Sequence, residues 1–200
     1  MKHLRILLLV LSAAVSSNAM GDKTIFDTTP PPPPPNPRAA APFVVGLELG
    51  ANSLGSLVGG HFSFYPFQQL ALDFGGGWSL AGMRGGIGAR YFLSQKFNAP
   101  FVGAAWMRST GVDSASLDGG EQTWNETLIH PLQFLNLVAG YEFRTTDGLV
   151  VTLTTGWSHV LTPEKERSVV KGTLSSEAKD WLDWTTSSGP VVSGMVGYGF

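Results

Sequence analysis

The chain of 200 residues contains no cysteine. That removes a disulfide scaffold, a thiolate zinc site, a cysteine nucleophile and an acylated lipoprotein cysteine. Charge is also scarce: charged residues make up 14% of the sequence, against about 25% in ordinary globular chains. With 13 basic and 15 acidic residues neither sign dominates. The balance offers no electrostatic footprint for nucleic acid and none of the high net charge of a disordered tail. Long apolar runs are missing too, since no stretch after Phe43 approaches the roughly 20 residues of a membrane-spanning helix. Glycine and proline are abundant instead, with 25 and 13 copies.

The N-terminus reads as a secretory signal over 1–19. Lys2, His3 and Arg5 form a basic start, Leu4 to Val15 is a short apolar run, and Ser17-Asn18-Ala19 supplies small residues for cleavage. Residues 20–42 read as a proline-rich periplasmic linker. Pro30 to Pro35 and Pro37 force polyproline II, which has no internal hydrogen bonds and cannot join a sheet. It is expected to serve as a semi-rigid spacer, in preference to a recognition stretch for a proline-binding partner.

From Phe43 the pattern changes to short alternating runs near 43–51, 57–65, 70–78, 83–93, 99–108, 133–143, 149–158 and 190–200. Each has about the 9 to 11 residues that a tilted strand needs to cross a bilayer. Their even number suits an all-β, eight-stranded antiparallel up-and-down transmembrane barrel over 43–200. Successive strand side chains point to opposite sides. One face is apolar throughout, as in Val45, Leu47 and Leu49 or Leu135, Leu137 and Ala139. The other holds Glu48, His61, Asp73, Arg84, Arg90, Asn136 and Glu142 among glycines. A soluble sheet spends Lys, Glu, Thr and Ser on its outer face, whereas glycines suit a narrow, curved interior. The fifth run is ambiguous: Arg108 at its end sits inward with Trp106, but the Phe101, Gly103 and Ala105 face is only weakly apolar.

With the N-terminus in the periplasm, even strands return there and end in Phe64, Tyr91, Phe143 and Phe200, while odd strands end outside with Trp78, Trp106 and Trp157. Aromatics thus gather at both interfaces, where an amphipathic ring is most stable. The two long connections, 109–132 and 159–189, both fall on the outer side. Such lengths are ordinary for extracellular barrel loops.

The ending Gly189-Pro190-Val191-Val192-Ser193-Gly194-Met195-Val196-Gly197-Tyr198-Gly199-Phe200 resembles the last strand of outer-membrane barrels. The region after Pro42 is similar to the small eight-stranded outer-membrane β-barrel family, of the outer membrane protein A transmembrane-domain type. The resemblance implies a bacterial outer-membrane location, contact with outer-membrane lipid and lipopolysaccharide, and recognition of Tyr198 and Phe200 by the barrel-assembly machinery. The proline tract departs from that pattern, as does the lack of a following peptidoglycan-binding domain.

An eight-stranded barrel is just wide enough to be filled by its own side chains. Glu48, Asp73 and Glu142 are therefore expected to neutralise Arg84, Arg90 and Arg108 in the lumen, because an unpaired buried charge is costly. The function expected is structural or surface-interacting, through the two long loops and an envelope or surface protein partner. No cofactor or metal is implied, and His61, His130 and His159 show no ligand spacing. The alternatives are a narrow small-solute channel and a lipid-modifying enzyme. Ser158 and His159 are the candidates for the latter, but adjacent strand residues point to opposite faces, which denies the base its nucleophile. In the loops, Asp113, Asp118, Glu121 and Glu126 form an acidic stretch without lysine or arginine, suited to divalent cations or a basic partner. Trp181 and Trp184 form a candidate contact surface, Arg167 to Leu174 a candidate extension of the seventh strand, and Ser175-Ser176-Glu177 a candidate helix start.

Overall fold

The computed structural model describes residues 36–116, 126–171 and 176–200. The leader expected over 1–19, the run Pro30–Pro35 and the loop acids Asp118 and Glu121 lie outside the described residues. A four-residue helical turn, α1 (Pro37–Ala40), precedes β1 (Phe43–Ala51), β2 (Val58–Phe67), β3 (Leu70–Ser79), β4 (Gly82–Phe92) and β5 (Ala99–Ser109). Two short strands follow, β6 (Val112–Ser116) and β7 (Glu126–Ile129), then β8 (Gln133–Arg144) and β9 (Leu149–Val160). The chain ends with β10 (Ser168–Lys171), helix α2 (Ser176–Thr186) and β11 (Gly189–Gly199).

Eight of these strands form a closed antiparallel up-and-down barrel in the order β1-β2-β3-β4-β5-β8-β9-β11, sealed by pairing of β1 with β11. Each runs 9 to 12 residues, enough to cross a bilayer when tilted. At the end that holds Phe43 and Phe200, tight turns join the strands. Thr145-Thr146-Asp147-Gly148 is one of them, with Gly148 at φ 95°, a left-handed conformation that glycine adopts without a Cβ penalty. Pro66, which cannot donate a ladder hydrogen bond, sits where the β2–β3 register shifts between Phe64 and Phe67. The strand therefore continues past Tyr65 and the turn shrinks to Gln68-Gln69.

At the other end the two long connections build structure of their own. β6, β7 and β10 form a three-stranded sheet, so 109–132 is not simply a loop. Ser168–Lys171 pairs with β7 and does not prolong β9. The helix foreseen near Ser175 begins at Ser176, and its Leu182 packs with Leu54, Met107 and Phe134 in an apolar cluster at this mouth. A second cluster at the short-turn end contains Val44, Tyr65, Phe92 and Phe101.

The outer wall is apolar. Leu47 is 73% exposed and Trp78 66%, with Ile87, Leu137, Leu153 and Val196 also facing outward. The inner wall carries Glu48, Asp73, Arg90, Asn136 and Glu142, all buried. The interior is narrow because glycines admit their neighbours: a Cβ on Gly140 would meet the Leu153 carbonyl and the Phe101 ring. No helix among the described residues is long and apolar enough to cross a membrane, and crossing by strands needs none.

Candidate functional site

Inward-facing charges from several strands join into one chain along the lumen. It starts at Glu142 of β8, which is fully buried and collects three guanidinium groups and a phenol. Arg38 donates from Nε at 3.1 Å, Arg144 from Nε at 2.9 Å, Tyr65 from its hydroxyl at 2.7 Å and Arg90 from Nη1 at 3.5 Å. Arg90 also grips Asp73 with both prongs, Nε to Oδ2 at 2.7 Å and Nη2 to Oδ1 at 2.8 Å. This bidentate geometry fits a planar guanidinium to a carboxylate. Ser63 ties the pair together, donating to Asp73 Oδ1 at 2.7 Å and accepting from Arg90 Nη2 at 2.9 Å.

His61 carries the chain onward. Its Nε2 lies 3.3 Å from Asp73 Oδ1 and its Nδ1 2.8 Å from Glu48 Oε2. Glu48 then accepts from the Ser193 hydroxyl at 2.7 Å and the Gly55 backbone N–H at 2.9 Å. Aromatic faces line the guanidinium groups: Arg38 lies 3.9 Å from the Phe92 centroid, Arg144 4.4 Å from that of Tyr65 and Arg90 5.0 Å from that of Phe101. Desolvated cations gain from such contacts. Beside this chain a space of about 40 Å³, lined by His61, Asn136 and Thr152 among others, is of water size.

Of the charges expected inside, Glu48, Asp73, Arg84, Arg90 and Glu142 face inward. Arg84 reaches no carboxylate among the described residues; its guanidinium stacks on Phe134 at 4.0 Å. Arg108 requires a correction, because it points out of the barrel. β5 adopts the phase that buries Phe101, Met107 and Ser109, leaving Trp106 and Arg108 on the outer face. Met107 fills the apolar mouth cluster, and a long guanidinium side chain near a strand end can reach the polar interface.

The linker reading also changes at its end. Asn36 to Ala40 folds against the short-turn end of the barrel: Arg38 is fully buried, its Nη1 reaching the Lys96 carbonyl at 3.1 Å, and the Asn36 side chain donates to the Gln95 carbonyl at 2.9 Å. A single arginine after a proline tract has no periodic signature that would have placed it inside. Arg144 and Tyr65 were findable, since they share the inward phase of Glu142 and Ser63.

The interface aromatics Trp78, Tyr91, Trp106, Phe143 and Trp157 are exposed on the outer wall, and Phe64 is half-buried against Phe43, centroids 5.2 Å apart. Tyr198 and Phe200 are exposed there too. Phe200 exchanges both backbone hydrogen bonds with Phe43, at 2.9 and 3.1 Å, and so closes the β1–β11 seam. Ser158 is buried in the lumen while His159 faces outward, so the wall separates them. His159 Nδ1 instead lies 3.2 Å from Ser188 Oγ, which already accepts the Val160 N–H at 3.1 Å. Among the described residues no group of acids and histidines is arranged to hold a metal ion.

No family model matches this chain. No curated protein matches it either. Among solved structures the chain is similar to CarO of Acinetobacter baumannii, at 15% identity and a TM-score of 0.39, over 80% of this chain and 99% of that one. A likeness of that degree bears on neither activity nor partner.

Proposed function

We propose that this chain is an integral barrel of a bacterial outer membrane with a structural or surface-interaction role, its lumen plugged by its own charge network. The observation that supports it is inverted polarity. A soluble monomer rarely exposes a contiguous apolar patch above a few hundred Å². Here exposed apolar side chains lie on all eight barrel strands, from Leu47, Val58, Phe74 and Ile87 to Val102, Leu137, Leu153 and Val196, while the carboxylates and most of the arginines of those eight strands lie inside. Only a hydrocarbon solvent stabilises that arrangement, and in such a solvent a closed sheet leaves no backbone group unpaired.

On this reading the N-terminal segment lies in the periplasm and the β6–β7–β10 sheet and α2 lie outside the cell, where they meet lipopolysaccharide and an envelope or surface protein. Tyr198 and Phe200 supply the sequence that the barrel-assembly machinery reads. The role proposed is non-catalytic, a reading supported by the barrel wall that separates buried Ser158 from outward-facing His159. Expression in a Gram-negative host tests this. The protein should fractionate with outer membranes and show heat-modifiable mobility, and protease added to intact cells should cut within 109–132 or 159–189. Recovery as a soluble periplasmic protein, or cleavage near Pro30 on sealed cells, would overturn the proposal.

A further inference from the structure

The mouth of the barrel opposite Phe43 and Phe200 contains a polar pocket separate from the lumen chain. At its centre is Arg84 of β4, only 4% exposed and with no carboxylate partner among the described residues. Its Nη1 donates to Asn52 Oδ1 at 3.3 Å and its plane rests on Phe134, but its buried Nε–H has no acceptor. The Ser56 hydroxyl, fully buried, is likewise without a partner. Both residues line one cavity together with Ser79, Trp184 and Thr185, and no Asp or Glu lines it. Glu48, which accepts the Gly55 N–H in the same loop, is already engaged by His61 and Ser193.

The local fold holds these groups in place. The β1–β2 connection turns into the mouth through left-handed backbone at Asn52 (φ 55°) and Ser56 (φ 65°), conformations that cost energy for residues with a Cβ. A Ser53–Ser56 turn fixes it, with Ser56 N donating to the Ser53 carbonyl and Ser53 Oγ to the Ser56 carbonyl, each at 3.0 Å. Helix α2 is anchored by Leu182 in the apolar cluster, which brings Trp184 and Thr185 to the cavity.

A water could accept from the Arg84 Nε–H, yet it would leave a desolvated charge without a counter-charge, which is the costly arrangement. Guanidinium N–H groups only donate, and a free serine hydroxyl can donate as well. The space open to a water-sized body is about 20 Å³, enough for one such body but not several. We propose that this cavity binds one chloride ion between Arg84 Nε and Ser56 Oγ. The site would then couple the β1–β2 loop to α2 through a bound charge, and anion occupancy would tighten the mouth. The inference concerns the mouth itself and holds whichever side of a membrane it faces.

The test uses the full mature barrel refolded in detergent, with chloride titrated at constant ionic strength against bulky isethionate. The wild-type unfolding midpoint should rise saturably with chloride and not with acetate, which is too large for the space. An acetate response equal to that of chloride would overturn the fit to a single small ion. The rise should vanish in Arg84→Met, weaken severalfold in Ser56→Ala and persist in Arg108→Met, whose guanidinium lies on the outer face. Should Arg84→Met fail to fold, bromide-soaked wild-type crystals give the same answer through an anomalous peak within hydrogen-bonding distance of Arg84 Nε. No saturable shift in the wild type, an equal shift in Arg84→Met, or no bromide peak in this cavity would overturn the proposal.

Discussion

Arg90 is the residue on which most of the lumen chain depends, because it is the only side chain among those described that joins Asp73 to Glu142. Replacing it by methionine leaves two buried carboxylates short of charge, and breaking a buried pair on one side costs about 3 to 5 kcal/mol. Urea unfolding in lipid vesicles should show a loss near the lower end, about 3 kcal/mol, because Arg38 and Arg144 still hold Glu142. The double variant Asp73→Asn with Arg90→Met should recover part of that loss, since neutralising both partners removes the orphaned charge. Arg108→Met should change stability by less than about 0.5 kcal/mol, as expected of a surface change. Equal costs at positions 90 and 108 would mean that the charge network does not stabilise the barrel. Most of this network was legible from alternation alone, which puts Glu48, Asp73, Arg90 and Glu142 on one face. What alternation could not tell was which partner each charge meets: His61 bridges two acids, and Arg84 meets an aromatic ring.

At the scale of the strands, the barrel's width is set by which glycines face inward. Gly140 faces the Phe101 ring and the Leu153 carbonyl, whereas Gly60 faces outward with no atom within 4 Å of a Cβ placed there. Gly140→Val should therefore cost about 3 kcal/mol, as overpacking does, while Gly60→Val should be tolerated or mildly stabilising in a strand that favours β-branched residues. Refolding yield and urea midpoints distinguish the two, and equal tolerance would contradict the packed lumen. Phe200→Asp should lower the amount of heat-modifiable barrel in cells, because it sets a charge in the apolar wall at the β1–β11 closure. Unchanged yield would remove the last strand from the assembly signal. Strand positions were readable because a period of two persists over 9 to 12 residues. The β5 phase was not, since Phe101, Gly103 and Ala105 carry little polarity contrast with Val102, Ala104 and Trp106. The sheet β6–β7–β10 was missed because strands of 4 or 5 residues give too short a pattern.

At the scale of the whole molecule, the proposed plug has a part at each end: Arg38 is buried at the short-turn end, and Leu54 packs with Leu182 at the opposite mouth. The purified protein in a planar bilayer should accordingly show no large, steady conductance; a persistent open-pore current would replace the structural reading with transport. The central claim is that the wall faces hydrocarbon and the charged face is sealed inside. Because the chain has no cysteine, single cysteines can be placed without background. The most direct measurement is a scan along β8 from Leu135 to Phe143 in lipid vesicles, the outward sites carrying an environment-sensitive fluorophore and the inward ones a bare cysteine. Positions 135, 137, 139, 141 and 143 should give blue-shifted emission quenched by lipid-borne nitroxide and protected from aqueous iodide. Bare cysteines at 136 and 138 should resist a membrane-soluble maleimide that labels the outward sites. Loss of that alternation, or iodide quenching at the outward sites, would contradict a membrane-embedded barrel.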